Sequence, residues 1–171
     1  MKLVSFFLLL ILASNVFSQT VYEIQTDEKS GKPMLVGKIT REEIQTTVFN
    51  EWWGEEYNKY DVDVLTSDEL LPYLEDVSIK IIAASWCSDS REMIPHLYKM
   101  LDYLNFPEDD IEMIFVNRNK TGLSDEVKDL SIDLVPTIIF YRNNIEAGRI
   151  VEFPFESLEL DILSILFEPV E

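Results

Sequence analysis

The stretch Ala84-Ser85-Trp86-Cys87-Ser88-Asp89-Ser90-Arg91 decides how the rest of the chain is read, because it sets the only cysteine at a junction between two elements. On its N-terminal side, Val77 to Ala84 is an apolar run that predicts a buried strand. On its C-terminal side, Arg91 to Leu104 repeats apolar residues at helical spacing. The thiol is therefore expected where a strand feeds a helix N-terminus, with free backbone N–H groups and the positive end of the helix dipole favouring a thiolate.

Downstream of this junction, Met93, Ile94, Leu97, Tyr98, Leu101 and Leu104 form one apolar stripe, and Pro95 removes a hydrogen bond inside the predicted helix. Asp110 to Val116 reads as a second core strand, and Leu123 to Leu130 as a short helix capped by Ser124. Leu134 to Tyr141 is a strand. The turn Arg142-Asn143-Asn144 returns the chain through Gly148 to Phe153, which makes an antiparallel hairpin. Ser157 to Phe167 closes the chain as an amphipathic helix. Two β-α units followed by a hairpin and a helix predict an α/β sandwich with a mixed sheet.

Upstream, Tyr60 to Val64 is a short β-like run, and a helix begins near Ser67 with Thr66 or Ser67 as its cap. Thr40-Arg41-Glu42-Glu43 has the form of a capping box, and a helix from Arg41 to about Tyr57 keeps Ile44, Val48 and Trp52 in register. Trp52 and Trp53 are expected to pack this arm against the domain. Val21 to Ile24 and Met34 to Gly37 are extended pieces around a turn-rich segment, consistent with a hairpin beside the main domain.

The formal net charge of −18 over 171 residues disfavours nucleic acid or an anionic membrane as a partner. The first eighteen residues, Met1-Lys2 followed by an apolar run and Val16-Phe17-Ser18, match a secretory signal peptide with Gln19 as the mature N-terminus. An uncleaved anchor is the other reading, against which the run falls short of the ~20 residues that span a bilayer. Export to a periplasmic or extracellular location follows as an expectation. With one cysteine no internal disulfide can form, so Cys87 is expected to be a reactive free thiol or an intermolecular partner. No phosphate-cradling Gly-rich loop and no metal-ligand spacing is present, so neither a cofactor nor a metal is expected.

Trp86-Cys87-Ser88-Asp89-Ser90 resembles the Trp-Cys-x-x-Cys motif of the thioredoxin family with serine in the second cysteine position, in a single-cysteine, exported bacterial form. Pro95 lies eight residues after Cys87, as the family's helix-kinking proline does, Val135-Pro136-Thr137 resembles its Val/Ile-Pro-Thr, and Gly148 resembles the glycine of its last strand. The resemblance implies a three-layer α/β/α sandwich with a mixed sheet, Pro136 cis and facing Cys87. It divides the chain into a signal peptide (1–18), an N-terminal hairpin-and-helix extension (19–62) and a thioredoxin-like domain (63–171). Two positions depart from it: Ser90 replaces the resolving cysteine, and Ile81 stands six residues before Cys87, where the family carries a buried acid.

Without a second thiol, the chain cannot displace a mixed disulfide by itself. The first expectation is monothiol exchange: Cys87 attacks, Ser90 supports it, Trp86, Val135, Pro136 and Thr137 shape the groove, and an external thiol resolves the mixed disulfide with a protein or small thiol. The second is a binding module that kept the groove for extended peptides and lost turnover. The third is a dimer linked through Cys87. His96, beyond Pro95, is expected to be solvated or half-buried rather than a base for Cys87.

Overall fold

The computed structural model describes residues 21–168, and the expected signal peptide lies outside the described residues. A six-stranded sheet runs through the molecule. Its strands are β1 (Val21–Thr26), β2 (Pro33–Lys38), β3 (Val77–Ala83), β4 (Ile111–Phe115), β5 (Thr137–Arg142) and β6 (Ile145–Val151), in the order β1-β2-β4-β3-β5-β6. β3 and β4 are parallel, and every other neighbouring pair is antiparallel. With helices between β3 and β4 and after β6, this is a thioredoxin-like α/β fold with a mixed sheet.

β3 is central because it can be buried on both faces. Ile79, Ile81 and Ala83 face one side and Ile82 and Ala84 the other, all 3% exposed or less. The first side meets α4 (Ser88–Tyr103) and α5 (Leu158–Phe167) through Met93, Ile94, Leu97, Leu101, Leu158, Ile162 and Leu166. α1 (Arg41–Ile44), α2 (Asn50–Lys59) and α3 (Val64–Leu70) add Ile44, Trp53 and Leu70 to the same cluster. Trp53 is buried against Tyr98, ring centroids 5.2 Å apart.

The opposite layer is built differently from the expectation. The predicted helix Leu123–Leu130 is instead a series of turns within 117–136, which lays Val127, Leu130 and Ile132 over Ile82, Ile114 and Val116. So short a segment gains little helical cooperativity. Its polar side chains also bond locally: the Glu126 carboxylate accepts from Ser124 N–H, and Lys128 Nζ donates to Asp125 Oδ2 at 3.4 Å. Past this cover the sheet face is polar, with Glu112 bridging Lys38 at 2.7 Å and Lys80 at 2.9 Å.

The N-terminal arm is part of the sheet, since β2 pairs with β4 through Gly37–Phe115 and Lys38–Ile114. Gly37 sits at φ +110°, where a Cβ would collide with the Val21 carbonyl oxygen. The predicted single helix from Arg41 breaks after one turn. Thr46 and Thr47 donate their hydroxyls to Glu43 O and Ile44 O, and the chain restarts as α2 at Asn50. The start expected near Ser67 moves upstream: Asp63 caps α3 by accepting from Thr66 N–H, and Ser67 is buried within the helix. The β5–β6 turn is two residues, Asn143 and Asn144, at φ 51° and 64°, which suits asparagine in a tight hairpin.

Candidate active site

Cys87 is the N-cap of α4 and the last residue of the short junction Ala84-Ser85-Trp86-Cys87 between β3 and the helix, which begins three residues earlier than its apolar stripe predicts. Ala84 and Ser90 close this junction on the inside. Cys87 N–H donates to Ala84 O at 3.0 Å, and Ala84 N–H donates to Ser90 Oγ at 3.1 Å. Ser90 is buried and forms no hydrogen bond with Cys87, so its hydroxyl oxygen serves the loop backbone.

The thiol itself is half-buried and donates to Val135 O at 3.2 Å. Val135–Pro136 is a cis peptide bond, and Val135 N–H has no partner among the described residues. Thr137 begins β5, 2% exposed, and its hydroxyl donates to Leu134 O at 2.8 Å. Cys87, Trp86, Val135 and Pro136 therefore meet at the C-terminal end of β3, with Thr137 buried just beneath them. Ile81 is wholly buried against the helices in the core.

Two residues unremarked in the sequence complete the surroundings of Trp86. Its indole N–H donates to Val116 O at 3.1 Å, and the Arg118 guanidinium stacks on its ring at 4.5 Å from the centroid. Arg118 is gripped in turn by Asp27 of the β1–β2 turn, Nε to Oδ1 at 2.9 Å and Nη2 to Oδ2 at 2.7 Å. Asp27 is 1% exposed, and its other partners are Ser30 Oγ and Lys29 N–H. The Arg118 hydrogen bonds hold the Asp27 carboxyl well below its usual range, reinforced by Ser30. Asp27 raises the affinity of Arg118 for its proton in return, and the Cys87 sulfur adds to this. The same arm also reaches the loop through Leu35 N–H, which donates to Ser85 Oγ at 2.9 Å. Strand-following polar residues such as Asn117-Arg118 are the only local signal for this arrangement; nothing local links them to Asp27.

His96 lies elsewhere and is buried, not solvated. Its ring stacks on Tyr60 at 4.6 Å and Nε2 is 3.2 Å from Glu56 Oε2. Burial lowers its pKa, opposed by Glu56. Tyr60 donates to the carboxylate of Glu159, which is 1% exposed and also accepts from Asp63 N–H at 3.2 Å. Among the described residues no group of three or more His, Cys, Asp or Glu side chains could hold a metal ion, and no helix is long and apolar enough to cross a membrane.

No protein-family model and no curated protein matches the sequence. Among solved structures, a protein of unknown function from Pseudomonas aeruginosa is similar at a TM-score of 0.53 and 14% identity, over 71% of this chain and 85% of that one. Mitochondrial thioredoxin 3 of Saccharomyces cerevisiae matches at a TM-score of 0.34 and 21% identity, over 56% of this chain and 86% of its own. Thioredoxin O2 of Arabidopsis thaliana matches at 0.37 and 20%, over 59% and 86%.

Proposed function

We propose that the protein performs monothiol thiol–disulfide exchange through Cys87 in an exported, periplasmic or extracellular setting. The observation that carries the reading is the half-buried Cys87 thiol at the N-cap of α4, hydrogen-bonded at 3.2 Å to Val135 O, with Trp86 packed on the same apolar cluster. In the exchange, the Cys87 thiolate attacks one sulfur of a substrate disulfide, that S–S bond breaks, and the departing thiolate takes a proton from solvent. An external thiol then attacks the mixed disulfide and regenerates Cys87, because the chain has no second cysteine. The Val135 N–H, which has no partner among the described residues, would pair with an extended substrate segment alongside the thiol. Ser90 keeps the loop in shape from below.

The test is insulin reduction driven by glutathione or dithiothreitol, comparing the wild type with Cys87→Ser. Turnover lost in the variant supports exchange. Equal rates with and without the thiol, together with retained binding of an extended peptide, replace this reading by a groove that binds without turning over.

A further inference from the structure

Arg118 has two sides that are treated differently by the fold. Nε and Nη2 face a carboxylate that is 1% exposed, while the arginine side chain as a whole is 34% exposed and Nη1 has no partner among the described residues. A guanidinium that served only to tie the hairpin down would spend its fork inward and be covered. Here one edge of the fork is anchored on Asp27, the plane is fixed at 4.5 Å on Trp86, the residue before Cys87, and the Cys87 sulfur is near enough to act on the Arg118 charge, while Nη1 is left without a partner among the described residues. The residue before the cysteine thus carries a cation held in place by Asp27, from the turn between β1 and β2.

We propose that Arg118, locked by Asp27 and Trp86, is a subsite for a carboxylate flanking the sulfur of the exchange partner, so that carboxylate-bearing disulfides are preferred to neutral ones. The inference rests on the exchange chemistry proposed above. A free guanidinium edge offers a carboxylate charge-assisted hydrogen bonds with planar geometry. Because the side chain is already immobilised, little rotamer entropy remains to be lost on binding. The Arg118–Asp27 pair is neutral at a distance, so the preference acts through short-range hydrogen bonds and not through a long-range field. That distinguishes it from the rest of the surface, which repels anions at a net charge of −18. The covalent step is unchanged: the Cys87 sulfur bonds to one disulfide sulfur, the other leaves as a thiolate, and the carboxylate stays on Arg118.

The experiment measures the rate of mixed-disulfide formation at Cys87, by mass spectrometry, with two small probes: dithiodiglycolate and bis(2-hydroxyethyl) disulfide. Their rate ratio in each protein is the readout, since general changes in thiol reactivity cancel in it. The dicarboxylate-to-neutral ratio is expected to fall about tenfold in Arg118→Gln and by less in Arg118→Lys, which keeps the charge but not the fork. Lys29→Gln, which removes a charge from the exposed turn beside Asp27, is expected to move the ratio less than about twofold, as a screened surface charge should. A ratio that changes equally in Lys29→Gln and Arg118→Gln, or in neither, overturns the subsite while leaving exchange intact. No adduct with either probe overturns exchange and the subsite together.

Discussion

The Cys87 thiol donates to the carbonyl oxygen of Val135 at 3.2 Å, across 48 residues of sequence. Serine can make the same bond, since its hydroxyl also donates. Cys87→Ser is therefore expected to unfold within about 1 kcal/mol of the wild type while losing all reaction with iodoacetamide and with disulfides. Urea denaturation and alkylation on the same samples check both halves. A large loss of stability would show that the sulfur holds the loop together.

The Asp27 carboxyl is held below its ordinary value of 3.8, chiefly by Arg118. A lowered folded pKa means that the ion pair stabilises the protein above the unfolded value and that this contribution is lost as pH falls through the folded one. The gap in urea midpoint between the wild type and Asp27→Asn is thus expected to be full at neutral pH and to narrow steadily below about pH 4. A gap independent of pH would place the effect of Asp27 in packing instead.

His96 gives a pH dependence of the same sign in a higher window. Its pKa is lowered from 6.5 by burial, so the unfolded chain binds its proton first. Stability is expected to be full above about pH 6.5, to decline as pH falls through the window below it, and to level off once the folded form also protonates. Proton NMR of the single histidine should show a midpoint below 6.5, and His96→Phe, which keeps a ring against Tyr60, should remove that part of the slope. An ordinary midpoint would mean that Glu56 outweighs burial.

Trp53 joins the arm to the domain, 1% exposed and packed on Tyr98. Trp53→Ala is expected to cost about 3–5 kcal/mol, read from the denaturant midpoint. A loss under about 1 kcal/mol would mean that α2 is a detachable appendage.

Tyr60 and Asp63 N–H are the donors to the buried Glu159 carboxylate. Burial and then Glu159 itself keep the Tyr60 hydroxyl protonated. Tyr60→Phe leaves the carboxylate one donor short and should cost about 1–3 kcal/mol, most of it recovered in a Tyr60→Phe, Glu159→Gln double variant. Additive losses in the double variant would show that the two groups do not act as a pair.

Where hydrogen bonding is local and side-chain period matches the element, the sequence was sufficient. The apolar run before Cys87, the stripe after it, the capping box at Thr40 and Ser157 ahead of α5 each specify their element from neighbours a few residues away. It misjudged the segments whose outcome depends on competition. Thr46 and Thr47 bond back to their own backbone and break the first helix, and the Leu123–Leu130 run settles as turns because its layer needs only Val127, Leu130 and Ile132 inserted.

The sequence by itself determined the order of elements and the placing of one thiol at a helix start, because periodicity and capping are short-range. Only the tertiary structure decided what surrounds that thiol. Val135 reaches Cys87 because β5 pairs antiparallel with β3, and Asp27 reaches Arg118 across 91 residues because β2 pairs with β4. Sheet register is a cooperative property of the whole chain, and no local pattern encodes which charged side chains it will bring face to face.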